Sequence, residues 1–251
     1  MTLSQYISNS FWGPRQETPD ALAIRFDKLI DRLTDLNPAF SNWIWHGDNK
    51  SPILFSTIRS RLKEKIAAAI SRSDYGEAEP VYGYRFSTLN SLTTTPRSLS
   101  LRVRAGSWAT SSGYSNTVTI QTAWRIEPDP AIVTYPIFRA VLLASAECFD
   151  VTFGSAYPSD MGALWPKTLK FHFGWINYVS PRFAPRVTPP KSAIVEYRPN
   201  GGLLMAATDE TFITSNPQHL AAARDIQAAL APLNALPWPI DEDGDNASPR
   251  S

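Results

Sequence analysis

Three histidines and one cysteine are the residues best suited to catalysis in this chain, and their spacing argues against it. His46, His172 and His219 lie too far apart for any two to share a helical turn or a hairpin, whereas a zinc site needs clustered His, Cys, Asp or Glu. Cys148 and His172 would supply a nucleophile and a base if the fold brought them together. Cys148 stands in an apolar run, however, where a lone cysteine serves as a small core residue. His172, between Phe171 and Phe173, alternates to the opposite face of a strand. The carboxylate pairs Asp209-Glu210 and Glu77/Glu79 read as solvated turns. The sequence has no Gly-x-Ser-x-Gly elbow and no phosphate-cradling glycine loop, and Gly201-Gly202 joins two strands. The expectation is a protein that is not an enzyme and holds neither metal nor cofactor.

Residues suited to binding are better represented. The chain carries 8 Trp, a residue of cores and of binding hot spots. Trp43, Ile44 and Trp45 stand beside His46-Gly47-Asp48 and read as a loop bearing large apolar groups. A helix expected from about Ser56 to Ser73 sets Arg59, Arg61, Lys63, Lys65 and Arg72 against the single acid Glu64, a basic face that could neutralise phosphate. Aromatic residues that would stack bases are not interleaved with it, so a solvated face is the stronger reading. Over the whole chain 24 Lys and Arg balance 23 Asp and Glu, a formal charge of +1, which leaves no global field to attract nucleic acid or an acidic membrane.

The elements that must position these residues are legible in outline. Thr18-Pro19-Asp20 is a helix start, and Leu22, Phe26, Leu29, Leu33 and Leu36 follow as one apolar stripe before Asn37-Pro38 ends it. Tyr135 to Phe149 reads as a more buried helix, and Asn216-Pro217 opens a last one with Leu220, Ala223, Ile226 and Leu230 inward. Period-two stretches around Tyr82–Phe86, Leu99–Val103 and Val118–Ile120 predict antiparallel strands, with an exposed loop from Gly106 to Asn116. Further strands are expected at Val151–Phe153, Phe171–Tyr178, Ala193–Tyr197 and Leu203–Ala206, the last two joined at Asn200-Gly201-Gly202. The fold class is α+β, a mainly antiparallel sheet with about four helices packed on it. Residues 1–240 form a single domain and the polar, acidic residues 241–251 a disordered tail. No apolar run reaches the roughly 18 to 20 residues of a membrane span. Met1–Ser10 does not read as a secretory signal, and a lone cysteine suits a reducing compartment, so the chain is placed in the cytoplasm.

One arrangement of residues spans nearly the whole chain. The run Phe11-Trp12-Gly13-Pro14-Arg15-Gln16-Glu17 is followed by the first helix, Asn37-Pro38-Ala39-Phe40 and Trp43. The strand pair around Phe86–Asn90 and Ser98–Gly106 comes next, then Gly174-Trp175-Ile176-Asn177-Tyr178, Gly201-Gly202, Thr208–Phe212 and Asn216–Ala221. In order and spacing these resemble the immunity protein 52 family of bacterial polymorphic toxin systems, with Ser91 standing where a glycine is expected. The resemblance implies an α+β antidote to a secreted toxin, usually a restriction-endonuclease-like DNase delivered by a type VI or related contact-dependent system. Inhibition would then be steric: Trp43 and Trp45 would anchor the contact while Asp48, Glu77 and Glu79 meet basic residues of the nuclease. The partner is thus a toxin protein, with neither nucleic acid nor membrane bound directly, and assembly into a homodimer stays open. The rival reading is a nucleic-acid-binding accessory protein that uses the basic second helix.

Overall fold

The computed structural model describes residues 4–46, 52–110, 116–165 and 173–236. Its elements in chain order are β1 (Tyr6–Trp12), α1 (Pro19–Leu36), β2 (Ile44–His46), β3 (Ile53–Leu54), α2 (Phe55–Ile58), α3 (Leu62–Ala68), β4 (Tyr84–Leu89), β5 (Leu99–Ala105) and β6 (Asn116–Thr122). They continue with α4 (Tyr135–Phe149), β7 (Phe153–Pro158), β8 (Ile176–Val179), β9 (Ile194–Tyr197), β10 (Leu203–Ala206), α5 (Pro217–Ala229) and α6 (Ala231–Asn234). The expected α+β class is what forms: one ten-stranded sheet, antiparallel at every pairing, in the order β3-β2-β4-β5-β6-β1-β7-β8-β10-β9. Four of its helices, α1, α3, α4 and α5, have seven or more residues.

Helix α1 begins where Thr18 caps it, its side-chain oxygen accepting from the Ala21 amide at 3.2 Å, a contact worth about 1 kcal/mol. Leu22, Phe26, Leu29, Ile30 and Leu33 are buried along one stripe. On one side α1 meets α4, and on the other α3, which reaches β4, while α4 lies over β1, β7 and β8. The three helices therefore form a layer on one sheet face. On that face β1 and β7 present Ser8, Ser10, Gly154 and Ala156, all small. The close approach of α4 requires this, since a Cβ on Gly154 would stand 2.7 Å from Leu142 Cδ1.

The motif Trp12–Glu17 is explained by what it holds together. Trp12 is fully buried against Phe149, and the Arg15 guanidinium lies 5.5 Å from its ring centre. Arg15 donates to the Phe149 carbonyl at 2.7 Å and Arg25 to that of Cys148 at 2.8 Å, satisfying carbonyls that the end of α4 leaves without helical partners. Glu17, with only 6% of its side chain exposed, sits between the two guanidiniums at 3.3 and 2.9 Å. Gly174-Trp175 is equally structural. The Trp175 indole is fully buried and donates to the Thr208 carbonyl at 2.9 Å, and a Cβ on Gly174 would run into the Ala156 carbonyl oxygen.

Three local expectations are corrected, and one strand is added to those expected. Residues 6–12 form the central strand, where no element was expected. Residues 44–46 form strand β2, where a loop was expected. The second helix is not continuous: α2, a 3-10 turn over Arg59–Arg61 and α3 replace it, and Ile70 leaves the helix to bridge to Tyr84. Gly106 and Ser107, expected in an exposed loop, are buried. Asn116 explains why, donating to the Gly13 and Ser107 carbonyls at 2.7 and 3.0 Å and accepting from the Ser107 amide at 2.9 Å. The expected tail at 241–251 lies outside the described residues.

Candidate functional site

The structure distributes the five residues expected to contact a partner among three settings. Trp43 and Trp45 are 3% and 4% exposed, so they are not surface anchors. The Trp45 ring stacks on Phe86 at 5.5 Å and meets Phe26 edge-on at 6.3 Å, because the alternation of a strand turns it inward while Ile44 faces out. Glu77 is exposed and Glu79 half-buried. Asp48 lies outside the described residues.

Glu77 and Glu79 belong to a tight hairpin over residues 70–80 that the helical reading concealed. Its arms meet at the Arg72–Ala78 bridge, and Ile70 joins it to β4 opposite Tyr84. The turn is closed by the Ser73 amide donating to the Glu77 carbonyl and the Gly76 amide to that of Ser73, both at 2.9 Å. Ser73 Oγ accepts from the Tyr75 and Glu77 amides at 3.3 and 3.2 Å, and Arg72 donates to the Gly76 carbonyl at 2.8 Å. This bracing holds up Tyr75, 94% exposed, with Asp74 and Glu77 beside it. The sequence signal for this was available: Ser73-Asp74-Tyr75-Gly76 is turn chemistry around an aromatic residue. Strand β2 pairs with Ser87–Leu89 of β4 and the hairpin with Tyr84, so the two lie along the same strand about 10 to 17 Å apart.

Residues suited to catalysis are placed as structural parts. Cys148 is buried, which pushes its thiol pKa up against the opposing pull of Arg32 and Lys28. Its suggested partner, His172, lies outside the described residues. His219 is buried on α5, where Nδ1 accepts from the Ile213 amide at 3.1 Å and the ring packs on Phe212. His46 is exposed on β2. Among the described residues no group of three or more His, Cys, Asp or Glu could hold a metal ion, and no helix is long and apolar enough to cross a membrane.

The basic helical face is largely neutralised. Arg59 pairs with Asp27 and Asp31 of α1 at 2.6 and 2.5 Å, Arg61 with Glu64 at 2.8 Å and Lys63 with Asp20 at 3.2 Å. Arg59 and Lys63 tie this segment to α1, which accounts for them without phosphate and weakens the nucleic-acid reading.

A second basic surface lies on the sheet face away from the helix layer. Register places Arg85, Arg104, Thr117 and Phe11 in one cross-strand row and His46, Ser87, Arg102, Thr119 and Asn9 in the next. Leu89, Ser100, Gln121 and Ile7 make the third row. The three arginines are exposed and the Thr, Asn and Gln residues half-exposed. In the sequence each arginine was legible as an outward position between buried neighbours, but their adjacency is a matter of register.

The family model described as Immunity protein 52 matches residues 4–236. Among solved structures, "Pseudomonas aeruginosa T6SS protein PA0821" is similar with a TM-score of 0.55 at 12% identity, over 90% of this chain and 73% of that one, a likeness of fold. No curated protein matches the chain.

Proposed function

The chain belongs to the Immunity protein 52 family, and from that premise we propose that it neutralises one cognate toxin by binding and occluding it. The observation that carries this reading is the family match across residues 4–236, nearly the whole chain. We take the toxin to be a restriction-endonuclease-like DNase of a type VI or related secretion system, met in the cytoplasm. Two things support this: the resemblance in sequence and the description of the similar structure as a type VI secretion protein.

The contact includes the braced hairpin. Glu77 and Glu79, with Asp74 and Tyr75 at the tip, suit a surface that binds phosphate, because a DNase presents Lys and Arg along its DNA path. Trp43 and Trp45 act from beneath, filling the core under β2 and β4. A rigid aromatic residue beside acids also keeps the ordering cost of association low.

The test is co-expression with the toxin-domain protein encoded beside this chain's gene. Cells are expected to survive, and the two proteins to co-purify and bind by calorimetry. Cell death despite full expression, with no measurable binding, would sink the proposal.

A further inference from the structure

The open sheet face brings its arginines into two adjacent cross-strand rows. Arg85 and Arg104 stand directly opposite each other on β4 and β5, and like charges so placed destabilise a sheet. Eight other arginines, Arg15, Arg25, Arg32, Arg59, Arg61, Arg97, Arg139 and Arg198, lie within ion-pair distance of Asp or Glu. Among the described residues no carboxylate pairs with Arg102 or Arg104. The three rows contain no Asp or Glu at all.

We propose that the open face of β2, β4, β5, β6 and β1 is the docking surface for an acidic patch on the toxin, with Arg102 and Arg104 receiving its carboxylates. This rests on the immunity reading and deepens it by naming the chemistry of the partner surface. Charge complementarity selects the occupant. The fully charged residues of the face are all arginine, whose planar fork suits two-point recognition of carboxylates and is enriched at protein interfaces. Around them stand neutral donors and acceptors, Thr117, Thr119, Asn9 and Gln121, and the half-buried apolar residues Phe11 and Leu89. A protein surface matches that mixture better than a phosphate backbone does, and the formal charge of the whole chain is only +1. The five strands, three to seven residues long, project roughly 450 Å², over half of the roughly 800 Å² per partner typical of a stable complex.

The experiment compares the wild-type chain with Arg102→Ala/Arg104→Ala and Arg102→Glu/Arg104→Glu. Each is titrated calorimetrically with a catalytically inactivated form of the toxin-domain protein encoded beside this gene, at low and at physiological salt. A 20-base-pair DNA duplex is titrated in parallel, and thermal melts confirm that the variants fold. The double alanine variant is expected to lose tenfold or more in affinity and much of the salt dependence, and the double glutamate variant to lose more. Unchanged affinity and salt dependence in both variants, with tight wild-type binding, would overturn this docking surface and leave the immunity reading standing. Failure of the wild-type chain to bind the toxin would overturn both. Duplex binding by the wild type that the alanine variant abolishes would overturn the assignment of a protein partner.

Discussion

The two halves of the sheet are built to different rules. In β7, β8 and β10 every residue is buried, on both faces. Helix α4 covers one side of β7 and β8, α5 packs on β10, and Trp165 packs on Tyr157 with ring centres 4.6 Å apart. In β5, buried residues alternate with half-exposed Ser100 and exposed Arg102 and Arg104. The contrast separates labour within one continuous sheet: the closed half fixes the fold, and the open half keeps a face available. A strand whose burial has period two has spare surface, and one buried throughout has none.

Substitutions can break that contrast. The largest effect is expected from Trp175→Ala, which empties a fully buried indole site in the closed half and should cost about 3 to 5 kcal/mol, read as a lower urea midpoint. An unchanged midpoint would mean that the closed half is not the stable scaffold. Gly174→Ala drives a methyl group into the Ala156 carbonyl across β7 and should cost about 3 kcal/mol by overpacking, measured in the same way.

A smaller effect concerns the stitch between α4 and β9. Burial raises the Glu196 pKa, but hydrogen bonds from Arg139 and Arg198 outweigh it and hold the carboxyl below its ordinary value. A folded-state pKa that is depressed stabilises above the unfolded value, about 4.3, and that stabilisation is lost as pH falls through the folded value. Melting temperatures of the wild type and Glu196→Gln should therefore converge as the pH is lowered from 6 to 3. Parallel curves would show that this ion pair is decorative. Smallest of all, Arg104→Ala should shift stability by no more than about 0.5 kcal/mol, and in the stabilising direction, since it removes a like charge opposite Arg85. A loss of 2 kcal/mol or more would show that the open face is part of the scaffold.

What the sequence made legible follows from where local physics decides. Thr18, Pro19 and the Leu22–Leu33 stripe specify α1 with little help from elsewhere, and Asn216-Pro217 does the same for α5. Strand β1 was invisible because the two middle inward positions are Ser8 and Ser10, chosen for the approach of α4 rather than for hydrophobicity. The second helix was over-extended because Arg59, Lys63 and their apolar neighbours keep a helical period through a 3-10 turn. Among the candidate contacts, Glu77 and Glu79 were legible as surface residues. The two tryptophans misled because strand alternation and stacking on Phe86 carry Trp45 inward. The arginine rows needed cross-strand register, which no single strand encodes.

The central place of β1 also sets an order of events. Asn9 lies opposite Thr119 on one side and Ser155 on the other, so β1 waits during synthesis for partners more than a hundred residues downstream. At about 5 to 20 residues per second, that wait is on the order of ten seconds in every newly made molecule. During it the joining strand exists while its flanking strands do not. Until both flanks have been made, β1 carries two unpaired edges, a ready template for pairing with another chain.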